Sequence, residues 1–143
     1  MIVEEKWIDE LTGSYRGFEY LCVARVDKGF RCGYVKIPEG HPYYENREFT
    51  KFNVGYEINW GLTFSGRLKD HNGWWIGFDC NHINNSFDPQ IIRDNYPEET
   101  ARQIIHALNE EDSGSGFQPS VSGIERSCQS IIDELLEEGR VLL

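Results

Sequence analysis

The residues best suited to chemistry gather in one stretch, Gly73-Trp74-Trp75-Ile76-Gly77-Phe78-Asp79-Cys80-Asn81-His82. Asp79, Cys80 and His82, joined by His41 or His71 from elsewhere in the chain, are able to ligate a metal, and a thiolate beside an imidazole serves as nucleophile and base. On that reading the chain is a small hydrolase. The spacing works against it. Successive side chains of a strand point to opposite faces, so Asp79 faces away from Cys80, and Cys80 falls in register with Trp74, Ile76 and Phe78. A buried structural thiol is the commoner outcome for such a cysteine, and a strand-end histidine is more often a structural or capping residue than a ligand. Neither a metal nor a cofactor is expected.

The same alternation defines a second constellation. Ile58, Trp60, Leu62 and Phe64 share one face, with Asn59, Gly61, Thr63 and Ser65 on the other, while Trp75, Gly77, Asp79 and Asn81 lie opposite the apolar set of the following strand. This predicts a polar face floored by Gly61 and Gly77. On it Asn59, Thr63, Ser65, Trp75, Asp79 and Asn81 offer the amides, hydroxyls, carboxylate and indole that a pocket for a planar, nucleotide-like ligand needs. The plainer alternative is a solvated or helix-covered sheet face. A third group is the loop Pro38 to Asn46, whose His41, Tyr43 and Tyr44, with Trp7 and Trp60 elsewhere, are of the kind that anchor protein interfaces. Packing of that loop onto the core serves equally well. His106 reads as a surface residue.

The elements that must position these groups follow from periodicity. Val3, Trp7, Ile8 and Leu11 stand at helical spacing before Thr12-Gly13-Ser14 cuts the segment short, which predicts a short helix or an irregular arm. Tyr15 to Val26 is rich in aromatic and β-branched residues, Asp27-Lys28-Gly29 supplies a turn, and Phe30 to Ile37 completes a β-hairpin. A second strand pair spans about Val54 to Leu68 and Trp74 to His82, joined by a turn at 69–73. Helices are predicted over 97–110, from Pro97 and the stripe Ala101, Ile104, Ile105 and Leu108, and over 123–138, from the capping box Ser122-x-x-Glu125 and a stop at Gly139. Between them, residues 112–120 read as a flexible connector. The expected fold is one α+β domain over 1–143, with a β-rich part at 15–82 and a helical part at 97–138. It is an antiparallel sheet of about four strands with two C-terminal amphipathic helices, at least one packed on the sheet.

Composition narrows the function classes. With 143 residues, 39 % hydrophobic and 13 % aromatic, the chain suits one packed domain and not a disordered tail. No apolar run approaches the ~20 residues that cross a bilayer, and the acidic start MIVEEKWIDE is unlike a signal peptide. A cytoplasmic protein without membrane association is expected. The net charge of −10 argues against direct nucleic-acid binding, which needs clustered Lys and Arg. Residues 83–143 hold 4 basic and 12 acidic residues, whereas residues 1–82 hold 10 and 12. Acidic helix positions such as Glu134, Glu137 and Glu138 are either a solvated face or a surface that meets a basic partner. The four cysteines, Cys22, Cys32, Cys80 and Cys128, form no C-x-x-C pair and read as reduced, apolar thiols.

Four motifs occur in order: Arg31-Cys32-Gly33-Tyr34-Val35, Pro38-Glu39-Gly40-His41-Pro42-Tyr43-Tyr44, Gly61-Leu62-Thr63-Phe64-Ser65-Gly66, and Gly73 through His82. Over roughly residues 15–108 this set resembles an uncharacterised family of small proteins carried by phages, prophages and other mobile elements. Asn59-Trp60 stand where that family usually has His-Gly, and Ile83-Asn84-Asn85 replace its small residues and aspartate. The resemblance implies a phage-against-host setting, in the bacterial cytoplasm, and antagonism of a defence system as the expected role. Binding is expected over catalysis, with either a host protein or a small nucleotide-like ligand as partner. A hydrolase and a virion accessory protein are the competing classes.

Overall fold

Helical spacing at the N-terminus turns out to be a β-bulge. The computed structural model describes residues 3–47, 62–81, 86–111 and 118–141, and in it the first segment is strand β1 (Trp7–Tyr15), not a helix. Its register against β2 (Phe18–Arg25) slips between Asp9 and Leu11, where one extra residue is inserted. Ile8 pairs with Ala24 and Leu11 with Cys22, so both point to the same face although they stand three apart. A bulge thus reproduces the i, i+3 spacing of a helix.

Beyond β1 the chain forms β2, β3 (Phe30–Ile37), β4 (Phe64–Gly66) and β5 (Trp74–Asp79). Among the described residues these make one antiparallel sheet in the order β1-β2-β3-β5-β4. The α+β expectation holds, with one strand more than expected. The predicted strand over Val54 to Leu68 is seen only at its end, because 48–61 lie outside the described residues. Helix α1 (Pro89–Asn95) was not expected; Asp88 caps it by accepting from the Gln90 N–H at 2.9 Å, and Pro89 opens it. Helix α2 (Glu98–Glu111) follows as the stripe predicts. Helix α3 (Val121–Val141) begins two residues before the expected start. Ser120, not Ser122, caps it, its hydroxyl accepting from the Gly123 N–H at 3.1 Å. Gly139 does not end it.

The sheet has two unlike faces. On the first, Tyr20, Cys22, Val35, Ile37, Trp74, Ile76, Phe78 and Cys80 pack against Ile124, Cys128, Ile131, Ile132 and Leu135 of α3. Each large apolar side chain so buried contributes about 1.5–3 kcal/mol, so this stripe is the main fastening of the domain. Gly33 makes the fit possible: a Cβ there would stand 2.5 Å from Phe78 Cζ and 2.9 Å from Cys128 Sγ. Arg31 ties three elements together at 13 % side-chain exposure. Its guanidinium bonds Glu10 in the bulge at 2.7 and 3.3 Å, approaches Asp88 at 3.8 Å, and donates to the Pro119 carbonyl at 2.9 Å. Gln118 accepts from the Arg31 N–H and donates to the Cys80 carbonyl at 2.6 Å, so the end of the connector is pinned to the sheet.

No described helix packs on the second face; the helices' buried side chains cluster with the first face or with one another. The second face carries its own apolar cluster of Leu21, Val23 and Trp75, joined by Tyr34, Phe64 and Leu68.

Candidate binding cleft

Over that second face runs the β4–β5 connection, residues 67–73. Leu68 packs into the apolar cluster, and the Trp75 indole N–H donates to the Asn72 carbonyl at 3.0 Å. His71 lies edge-on to Trp75, with centroids 5.9 Å apart, and its Nε2 stands 3.3 Å from Asp9 Oδ2 on β1. Strands are spaced about 4.8 Å apart, so this loop reaches roughly 14 Å from β5 across β3 and β2 to β1. Beneath and beside it is a cleft of about 840 Å³, lined by residues 5–9, Leu21, Val23, Tyr34 and residues 68–71. Ligand sites commonly occupy some 300–1,000 Å³.

Alternation along β1 decides what the cleft offers. Trp7 pairs with Arg25 and Asp9 with Val23, so both side chains face the cleft, whereas Ile8 turns to the first face. Lys6 also turns away, its ammonium lying 5.4 Å from the centre of the Tyr96 ring. What remains is a floor of Leu21, Val23 and Tyr34 beside the indole of Trp7, with charged groups at Glu5, Asp9, Lys69 and Asp70 and the imidazole of His71. Trp7, 42 % exposed, is the large hydrophobic residue most open to solvent among those described. Its ring is steadied by an edge contact with Phe30 at 6.0 Å and by the Arg25 guanidinium 5.6 Å from its centre.

Among the described residues, the polar face expected around Gly77 is assembled only in part. Ser65 pairs with Ile76 and therefore faces α3; its hydroxyl donates to the Asn46 carbonyl at 2.7 Å and accepts from the Trp74 indole at 3.0 Å. Phe64, expected in the core with Leu62, pairs with Gly77 on the opposite face and meets Tyr34 edge-on at 5.5 Å. The space above Gly77 is filled by the Tyr34 ring. Trp75 is buried and not presented to a ligand. Thr63, Asp79 and Asn81 do come together at the end of β5: the Thr63 hydroxyl and the Asn81 N–H donate to the Asp79 carboxylate at 3.1 and 3.0 Å. That arrangement closes the strand end. Asn59 lies outside the described residues.

Asp79 and Cys80 stand on opposite faces as expected, with Cys80 wholly buried against α3 and His82 outside the described residues. All four thiols are buried and unpaired by disulfides. Burial pushes the Cys32 thiol up to about 12 and the Cys128 thiol well above its ordinary value, so at neutral pH neither supplies a thiolate. Among the described residues no three His, Cys, Asp or Glu side chains converge as metal ligands, and no helix is long and apolar enough to cross a membrane.

The aromatic loop packs inward. His41 Nδ1 accepts from the Tyr43 N–H at 3.1 Å, so the proton resides on Nε2, which donates to the Leu135 carbonyl at 3.2 Å. Tyr43 and Tyr44 lean on the α3-side core. Glu134 is half-buried and Glu137 exposed, while nothing is described of the Glu138 side chain. His106 is on the surface of α2, 3.2 Å from Glu110.

Compared with known proteins, the chain matches no family model, no curated protein and no solved structure.

Proposed function

We propose that the chain is a binding protein and that the cleft over the second sheet face is where it binds. The observation that carries this reading is the combination of an apolar floor, an exposed indole and a charged rim in one cavity of ligand size. Exposed indoles are costly to leave in water and recur at the centres of binding sites. The catalytic alternative is disfavoured by the described geometry, since Asp79 and Cys80 face opposite ways and Cys80 is wholly buried against α3. The phage-like motifs supply the setting: a product of a mobile element that antagonises a bacterial defence system by occupying one of its components.

Bacteria carrying individual defence systems, with and without this protein, provide the test through phage plating efficiency. Wild-type protein and Cys80→Ser should raise plating at least about ten-fold on one system, and Trp7→Ala should not. Full plating with Trp7→Ala, its melting temperature unchanged, refutes the cleft; loss with Cys80→Ser in a folded protein restores the hydrolase. No gain on any system refutes the anti-defence role.

A further inference from the structure

Resting on that reading of the cleft, we propose that its occupant is an extended basic segment of a partner protein, and that the cleft receives an arginine side chain from it. Charge complementarity is the first argument. Glu5, Asp9 and Asp70 bring three carboxylates to the lining; Arg25 pairs with Glu5, and Asp9 and Asp70 face Lys69 and the imidazole of His71, because the Lys6 ammonium is turned to Tyr96. The whole chain carries −10, so a basic partner is also drawn in from a distance. An anionic nucleotide phosphate meets the opposite field.

The second argument is that the molecule already holds a guanidinium in this corner. Arg25 sits 5.6 Å from the centre of the Trp7 ring, 3.3 Å from Glu5 and 3.3 Å from Asp27. Aromatic face and carboxylates are thus set at the spacing a guanidinium uses. Asp9, next along the same face of β1 and 45 % exposed in its side chain, pairs among the described residues with the His71 imidazole. An incoming guanidinium displaces His71 from Asp9, its aliphatic stem lying on Leu21 and Val23. Arginine suits this better than lysine, because its planar fork bonds a carboxylate at two points and stacks on an indole.

The third argument gives the partner its shape. β1 is an edge of the described sheet, and a segment laid along an edge strand directs every second side chain to one face. The cleft face is the one that Trp7 and Asp9 occupy.

The test uses the full chain and three blocked pentapeptides, Ac-Val-Arg-Val-Arg-Val-NH2 and its citrulline and lysine counterparts, followed by amide chemical shifts and calorimetry. The arginine peptide should shift residues 7–11 and 68–71 saturably. The citrulline peptide should bind at least about ten-fold more weakly and lysine at an intermediate level, with the arginine affinity falling as salt rises. Asp9→Asn should weaken arginine binding about five-fold, the size of one exposed charge pair of about 1 kcal/mol, with its melting temperature unchanged. Equal affinity for arginine and citrulline overturns the cationic occupant while leaving the cleft. Saturable shifts confined to α2 or α3, or none with any peptide, overturn the proposal as well, and the Trp7→Ala plating result then judges the cleft separately.

Discussion

Replacing Gly77 with alanine tests the floor of the cleft and the pairing of β5 at once. A Cβ on Gly77 would come closer than 3.0 Å to both the Gly33 carbonyl oxygen and the Tyr34 ring. The ring could rotate, but the carbonyl belongs to β3, which is fixed on one side by β2 and on the other by β5 itself. Overpacking costs about 1–3 kcal/mol where side chains can yield, and a backbone obstacle places this change at the upper end, about 3 kcal/mol. For a chain of this length 1 kcal/mol moves the melting temperature by about 3 °C, so Gly77→Ala should melt about 9 °C lower. Circular dichroism melts and urea midpoints give the two readings. Gly33→Ala is the informative comparison, because it meets the ends of two side chains, Phe78 and Cys128. Adding Phe78→Leu to Gly33→Ala should recover part of its loss, whereas adding Tyr34→Leu to Gly77→Ala should recover little. A Gly77→Ala protein melting within about 2 °C of wild type, well inside the size of a single kcal/mol, would refute the close approach of β3 and β5 and with it the position of Tyr34 in the cleft.

Four further outcomes follow from the same packing. Ser65→Ala leaves the buried Trp74 indole N–H without its acceptor, so the urea midpoint should report a loss of about 1–3 kcal/mol; no loss would return Ser65 to a solvent-facing polar face. Arg31→Ala should cost about 3–5 kcal/mol by stranding Glu10, and Arg31→Lys should recover less than half, because lysine cannot bond both carboxylate oxygens and the Pro119 carbonyl. Burial and the hydrogen bond to Glu125 push the Tyr20 phenol up to about 12. The folded state therefore keeps its proton after the unfolded chain begins to ionise near pH 10, and the stability this gives is complete below pH 10 and lost by pH 12. Tyr20→Phe should flatten that part of the stability curve. Deleting Glu10 sets Asp9 and Leu11 side by side opposite Val23 and Cys22 and so makes β1 regular with its faces unchanged. Trp7 fluorescence should therefore be kept, and the melting temperature should fall about as far as in Glu10→Gln, which also loses the Arg31 ion pair; a much lower melt than Glu10→Gln with altered Trp7 fluorescence, the mark of a flipped register, would refute the bulge.

Most of the architecture was legible because one face of each element is chemically distinct. The stripes Ala101-Ile104 and Ile124-Cys128-Ile131-Ile132-Leu135 are single-sided, and so α2 and α3 were found close to their true bounds. Alternation failed where both faces of the sheet are apolar. Trp74 through Phe78 are buried at every position, so alternation no longer tells which face is which, and Phe64 and Ser65 were placed the wrong way round. The same feature was a signal left unread: Tyr20 through Ala24 are apolar without a break, the mark of a strand covered on both sides, and Leu21 and Val23 of that run floor the cleft. Helix α1 has seven residues, too few to show a stripe. Its capping pair Asp88-Pro89 was the only local sign. His71 could not be placed by spacing at all, because its neighbour Asp9 is 62 positions away in the chain and they meet only through the reach of the 67–73 loop.

The four motifs that suggest a mobile-element protein have another explanation in the fold. Arg31 and Gly33 of the first hold the bulge, α1 and α3 in place; His41 of the second locks its loop to α3. Ser65 of the third accepts from Trp74 of the fourth, and Gly77 seats Tyr34. These residues build the half of the sheet formed by β3, β4 and β5, and they leave the face above β1 and β2 to be decided elsewhere. Of the residues that shape the cleft, Tyr34 belongs to the first motif, while Trp7, Asp9, Leu21 and Val23 lie outside every motif. A scaffold specified by one set of residues and a binding face specified by another can keep its fold while its partner changes. On the proposed reading of the cleft, Trp7 and Asp9 are therefore the positions at which to alter the partner with least change to the sheet built by β3, β4 and β5.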